Sequence, residues 1–358
     1  MRFLISGVCG FVGSRLALAL TERAPNTEIV GVDNLLRPGS ELNRHELASR
    51  GVRFMHGDVR MRSDVESLPV CDFVIDAAAN PSVLAGVDGR SSARQLCEHN
   101  LMGTLNVLEY CRNEKAGLVL LSSSRVYSVQ HLATLPMCVA DEAFHLRPDP
   151  GCLTNGVSQE GVAECFPVQQ PISLYGATKL SSEIMAIEYG AAFSFPVWIN
   201  RCGVLTGAGQ FGTAEQGIFS YWLHAHAARL PLRYIGFGGY GYQVRDAFHP
   251  DDLADLILAQ IRRDPAGNAV YNIGGGPSNT MSLAQLTRWC NERFGVHAPS
   301  RDVSPRPFDI PWIVMDNQRA GNDFQWRPTR SLLSILEEIA NHVEAHPDWL
   351  HRTGAYGR

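Results

Sequence analysis

The sequence predicts an α/β protein, a doubly wound parallel sheet with helices on both faces, followed by a smaller C-terminal lobe. Three observations carry that expectation. An apolar run, Arg2 to Ser6, passes at once into a glycine-rich turn, and the turn passes into a segment with helical periodicity. Short apolar runs then alternate with helical stretches as far as residue 121. The 358 residues, 45% hydrophobic and only 19% charged, suffice for one large α/β domain or two unequal lobes sharing a cleft.

The elements follow in order. The turn reads Gly7-Val-Cys-Gly10-Phe-Val-Gly13, and from Phe11 to Glu22 the residues Val12, Leu16, Ala19 and Leu20 share one helical face. Strand, glycine turn and helix form a dinucleotide site of the Rossmann type. Gly7 permits the tight turn, Gly10 lets a pyrophosphate approach the backbone, and Gly13 lets the helix pack close to the strand. The helix N-terminus, with Phe11 and Val12, faces the phosphates. The next strand, Glu28 to Val32, ends at Asp33, twenty residues past Gly13. A carboxylate there accepts hydrogen bonds from the adenosine ribose and repels a 2′-phosphate. No arginine replaces it, although Arg37 is close by, so the expected cofactor is NAD, with Asn34 beside Asp33 in its site.

A third strand, Val52 to Met55, leads to Gly57-Asp58-Val59, which places Asp58 and Val59 beside the adenine. A fourth, Phe73 to Ile75, leads to Ala77-Ala78-Ala79, whose small side chains let the backbone approach the cofactor's middle. A helix carrying Asn100 and a fifth strand, Leu118 to Leu121, come next. Ligands of such sheets lie at the carboxyl ends of the strands, where these residues stand.

Strand five ends in Ser122-Ser123-Ser124-Arg125, delivering a hydroxyl to the nicotinamide edge. Tyr175 and Lys179 open a later helix and, at i and i+4, share a face. The ammonium and the positive nicotinamide ring favour the phenolate, which suits Tyr175 as general base, with Ser123 holding the substrate oxygen.

The glycine turn, Asp33, the serine run and the Tyr175/Lys179 pair, in that order, resemble the extended short-chain dehydrogenase/reductases of the nucleotide-sugar epimerase/dehydratase group. The resemblance implies a Ser123, Tyr175, Lys179 triad on tightly held NAD, with Lys179 also on the nicotinamide ribose and Asn100 near the active site. The group's dehydratases place Asp-Glu or Glu just after the triad hydroxyl; Ser124 and Arg125 stand there in this chain, which favours an epimerase. The Q-F-x-T-x-x-Q-G element from Gln210 to Gly217 resembles the CDP-paratose 2-epimerase branch, as do Gln243-Val-Arg-Asp246 with His249, and Arg306-Pro-Phe-Asp309. By that resemblance Ser124, Asn200, Gln210 and Gln216 line a pocket for a CDP- or UDP-linked sugar, and Arg245 and Arg306 clamp its diphosphate. The expected reaction inverts C2 by transient oxidation. A 4-epimerase, a dehydratase or dehydrogenase, and a silent NAD-binding regulator are the alternatives. Two features depart from the branch: Tyr127-Ser128 stands where Tyr-Gly is usual, and no Tyr-Gly follows Arg201. The stretch from Gln130 to Pro171, rich in Pro and Gly, is expected to cover the sugar.

The domain expectation is an NAD-binding lobe over 1–200 and a substrate lobe over 201–358. Returns to the large lobe are expected near 243–275, at Asp246-Ala-Phe-His249 and Tyr271-Asn-Ile-Gly274. The net charge of −5 with no basic run excludes a nucleic-acid partner. Nine cysteines lack metal-ligand spacing, and Cys9, Cys71, Cys111 and Cys202 read as small core residues rather than ligands. The first strand begins at once, leaving no signal peptide, and no apolar run approaches the ~20 residues of a membrane span. A cytoplasmic protein is therefore expected. The group resemblance implies a homodimer built on the helix after Asn100 and the Tyr175 helix.

Overall fold

The computed structural model describes residues 1–89, 91–147, 155–263 and 270–355. The first five strands are β1 (Arg2–Ser6), β2 (Glu28–Asp33), β3 (Arg53–His56), β4 (Phe73–Asp76) and β5 (Gly117–Ser123). Two short hairpins follow, β6 (Met137–Ala140) with β7 (Ala143–Leu146), and β8 (Val157–Ser158) with β9 (Gly161–Val162), before β10 (Val197–Cys202). Beyond it lie β11 (Val204–Leu205), β12 (Arg233–Ile235), β13 (Val244–Phe248), β14 (Val270–Ile273), β15 (Thr280–Ser282), β16 (Ser300–Asp302) and β17 (Trp312–Ile313).

Seven strands form one parallel sheet in the order β14-β10-β5-β4-β1-β2-β3. The order reverses direction between β1 and β4, the switch point at which such sheets open a crevice. Both faces are covered, so the strands are apolar throughout: Phe3, Leu4 and Ile5 are fully buried. One face packs under the helices Phe11–Arg23 and Pro250–Gln260, through Leu16, Leu20, Leu253 and Ile257. The other packs under Gly103–Glu114 and Leu174–Phe193, through Val107, Cys111 and Ala186. Cys9, Cys71, Cys111 and Cys202 are buried; Cys152 lies outside the described residues.

A second sheet is built on β13, which pairs with β11 and β17 in parallel and with β15 antiparallel. Asp246-Ala-Phe thus belongs to the small sheet. The chain returns to the large one through the helix Pro250–Gln260, capped by the His249 side chain, and then through β14 at its edge. Among the described residues no helix is long and apolar enough to cross a membrane.

Candidate active site

Two cavities meet at the carboxyl edge of the large sheet and share Val12, Ala77, Ala79, Pro81, Gln210 and Gln216. The one at the switch point encloses about 390 Å³ and is lined by Gly7, Gly10, Phe11, Gly13, Asp33, Asn34, Val59 and Ala78, besides the shared residues. The glycines are required by contact. A Cβ on Gly13 would stand 2.2 Å from the Gly7 carbonyl oxygen, and one on Gly7, whose φ is +65°, would meet Ala78 Cα at 2.9 Å. A backbone cradle with no side chain in it is what a pyrophosphate needs at a helix N-terminus. Asp33 accepts the amides of Cys9 (2.9 Å) and Leu35 (2.8 Å), and burial raises its carboxyl above the usual range.

Two residues expected at the cofactor stand behind this cavity instead of lining it. Asp58 gives its carboxylate to Arg60 (2.6 Å) and Asn34 (3.0 Å); burial works against ionisation, yet those bonds hold its carboxyl well below the usual range. Its neighbours Gly57 and Val59 line the wall in its place. Asn100 is fully buried in a single π-turn, Glu98–Met102. Its Oδ1 accepts from the Asn80 amide (2.7 Å), and its Nδ2 donates to the Asn80 carbonyl (3.0 Å) and to Thr178 Oγ1 (3.2 Å). It therefore ties the loop after β4 to the Tyr175 helix.

The second cavity, about 430 Å³, is lined by Ser123, Ser124, Arg125, Tyr175 and Lys179 on one side and by Arg245, Arg306 and Asp309 on the other. Ser123 closes β5, and its Oγ accepts the Arg125 amide (3.1 Å), which leaves the hydroxyl proton free to donate. Ser173 caps the Leu174–Phe193 helix by accepting the Gly176 amide (3.0 Å). Its φ of +113° is a strained setting for an L-residue, placed two positions before Tyr175. Lys179 is 4% exposed and donates to the Leu121 carbonyl (2.9 Å), so its ammonium is held against the end of the strand that delivers Ser123.

Residues 3–274 match a family described as the NAD dependent epimerase/dehydratase family, three quarters of the chain and both cavity-forming strand ends. The chain belongs to that family. NAD is the family's cofactor, and the glycine cradle and Asp33 fit it. The chain is 28% identical to the CDP-paratose 2-epimerase of Salmonella typhi over 95% of this chain and 98% of that one. It is 25% identical to the UDP-glucuronate 4-epimerase of Thermodesulfobacterium geofontis over 95% of each. A solved structure of the UDP-glucuronic acid 4-epimerase from Bacillus cereus, in complex with UDP-glucuronic acid and NAD, shares the fold at a TM-score of 0.76. That pair is 24% identical over 96% of this chain and 99% of that one.

The family's sugar pocket was expected to include Asn200, and the structure withholds it. Asn200 is fully buried within β10, where its amide exchanges two hydrogen bonds with Gln260 (3.0 and 2.8 Å) on the far side of the sheet. Cys202, two residues on, lines the cavity as the strand leaves the sheet. No described residue between 130 and 171 lines either cavity. The β6–β7 hairpin packs outward on the small lobe instead. There Ser282 Oγ donates to the Glu142 carbonyl (2.6 Å), and Arg288 pairs with Asp141 (2.9 Å). Residues 148–154 lie outside the described chain.

Gln210 and Gln216 do reach the cavities. Gln210 Oε1 accepts from Thr206 (2.9 Å) and its Nε2 donates to the Leu205 carbonyl (2.9 Å), which fixes the amide. Gln216 Oε1 accepts from Arg37 (3.3 Å), and Arg37 also donates to the Phe211 carbonyl. Arg37 lines the switch-point cavity, both of these partners are neutral, and burial lowers its pKa. Its nearness to Asp33 was the only sequence signal. Arg245 donates to the carbonyls of Val244 (2.7 Å) and Ile310 (2.9 Å) and stands 3.5 Å from Asp309; burial first, then the charge of Arg125, lowers it to about 9. A buried guanidinium so depressed is stabilised by any anion that enters.

Proposed function

We propose that this chain inverts one carbon of a nucleotide-diphosphate sugar by transient oxidation and re-reduction, with C2 the favoured carbon. The observation that carries the reading is the convergence of Ser123, Tyr175 and Lys179 on a cavity that opens into the NAD cavity, with no carboxylate between Ser123 and Arg125. Elimination of water from the sugar needs an acid there, and epimerisation does not.

NAD, when bound, supplies the hydride acceptor and then the donor. Tyr175 takes the proton of the sugar hydroxyl and later returns it, Ser123 donates to the oxygen throughout, and Lys179 brings its positive charge to the strand end that delivers Ser123. Arg245 and Arg306 hold the diphosphate, leaving the keto-sugar to turn about that anchor and present its other face. Gln210 and Gln216 contribute to both walls. The cofactor residues are the cradle Gly7, Gly10, Phe11, Val12 and Gly13, with Asp33, Asn34, Val59 and Ala77 to Ala79.

An NAD-binding lobe of residues 1–200, with returns between 243 and 275, and a nucleotide-sugar lobe from the remainder complete the reading. A dimer across the helices Gly103–Glu114 and Leu174–Phe193 is consistent with exposed Ile184, Met185 and Phe193. The C2 assignment rests on the CDP-paratose 2-epimerase likeness, and inversion at C4 is the second reading, favoured by the UDP-glucuronate 4-epimerase likeness.

The test is proton NMR in D₂O with CDP- and UDP-linked sugars and no added cofactor. A new epimer without deuterium at the inverted carbon supports the proposal, and its couplings name the carbon. Deuterium beside a carbonyl would replace it with enolisation or elimination.

A further inference from the structure

We infer that Arg125 selects a sugar with an acidic substituent, so that the preferred substrate is a nucleotide-linked uronic acid. The inference rests on the nucleotide-sugar reading but not on which carbon is inverted.

Arg125 belongs to the reacting end of the cavity by its main chain. A Cβ on Gly176 would stand 2.3 Å from the Arg125 carbonyl oxygen, so residue 125 is pressed against the turn that bears Tyr175. Its side chain lines the cavity and reaches toward the opposite wall, where its NH1 donates to the Phe308 carbonyl (3.1 Å). That bond uses one of five guanidinium N–H groups. The neighbouring carboxylate, Asp309, acts on Arg125 by its charge, but it is shared. Asp309 accepts from Gln243 (3.1 Å), from the Ile310 amide (3.0 Å), and from Arg245 at 3.5 Å. Arg245 and Arg306 approach from the small lobe and are placed for the diphosphate, while Arg125 comes from the large lobe beside Ser123 and Ser124.

A sugar filling this cavity displaces the water that solvates Arg125. A methyl or hydroxymethyl group would then leave the desolvated Arg125 with no more than a share of the Asp309 charge, which Arg245 also draws on, and that is costly. A carboxylate on the ring matches the planar fork with two parallel hydrogen bonds, and the Ser124 hydroxyl offers a third donor alongside.

The experiment is calorimetric titration of the NAD-bearing protein with UDP, CDP, and the glucuronic acid and glucose conjugates of whichever base binds more tightly. Arg125→Gln and Arg125→Lys are run beside the wild type, and their melting curves verify the fold. The expected result is at least tenfold tighter binding of the glucuronic acid conjugate than of the glucose conjugate. Arg125→Gln should erase that preference without changing affinity for the free nucleoside diphosphate, and Arg125→Lys should retain part of it. Equal affinity for the two conjugates in the wild type overturns the inference and leaves the nucleotide-sugar reading standing. A parallel loss of nucleoside-diphosphate affinity in Arg125→Gln also overturns it, by placing Arg125 on the diphosphate. Failure of every nucleotide to bind removes both readings.

Discussion

Arg201 and Glu183 form a fork-to-fork ion pair directly behind the proposed catalytic face. Arg201 Nε lies 3.1 Å from each carboxylate oxygen and its NH2 lies 2.7 Å from Oε2. Glu183 continues the Tyr175–Lys179 stripe one helical turn further and also accepts from Ser122 Oγ, the residue before Ser123. One buried carboxylate therefore joins the helix of the phenol, the strand of the hydroxyl and the adjacent strand β10.

Breaking that pair should be severe. Arg201→Met leaves Glu183 buried without its partner and is expected to cost ~3–5 kcal/mol, whereas Arg201→Met with Glu183→Leu should recover much of the loss. Denaturant unfolding of the two variants measures the difference. Equal destabilisation would show that the pair is not the source of the cost.

Tyr175→Phe should leave the fold and bound NAD intact and reduce turnover by ~10²–10⁴, the range for a lost general base. A variant with near-normal turnover would remove Tyr175 from the proton transfer, and a silent NAD-binding protein would show no functional change.

Arg37→Met should loosen the cofactor. Its guanidinium bonds to the neutral Gln216 and Phe211 groups in the cavity proposed for the dinucleotide, and a hydrogen bond to a charged group is worth ~1.5–3 kcal/mol. NAD released on denaturing the purified variant, counted per chain, should fall clearly below the wild-type content. Unchanged content would confine Arg37 to holding Phe211 and Gln216.

Acid should loosen the C-terminal helices through two imidazoles, His224 buried and His342 half-buried. Burial, then the neighbouring His342 and His346, lowers His224 to about 3, and burial, then His346 and Arg15, lowers His342 to about 4. Both are neutral in the folded chain and take up protons from pH ~6.5 once unfolded. Their contribution is thus complete above that pH and is lost as pH falls from 6.5 toward 4. Asp246, raised to about 7 by burial, contributes in the opposite sense. The readout is therefore the difference in Tm between wild type and His342→Phe at pH 7.5 and 5, which should narrow in acid. Glu338 and Arg352 also face His342 and set its residual slope. His342 packs at 4.7 Å on Trp349, whose indole N–H donates to the carbonyl of the cavity-lining Gln210 (2.9 Å).

The large sheet was legible because its strands are buried on both faces and read as uninterrupted apolar runs, and the cradle because glycine spacing has few other uses. Asp58 and Asn200 share a feature that the sequence does not show. Each is polar and near a strand end, but its side chain satisfies the protein's own groups, Arg60 and Gln260, and a linear pattern does not show which partner wins. The segment after Gln130 carries no periodicity that fixes its direction, and its hairpin found partners in Ser282 and Arg288, far along the chain. Arg125 was visible only as a missing carboxylate; its reach across the cavity depends on residues 306–309 folding back opposite it.

The contact between Gly176 and the Arg125 carbonyl has an evolutionary consequence. There the turn that bears Tyr175 presses on the main chain of residue 125, not on its side chain. The side chain at position 125 can therefore be exchanged without disturbing that main-chain contact. Descendants of this scaffold could acquire new sugars by changes at one codon while inheriting the backbone frame that holds Tyr175.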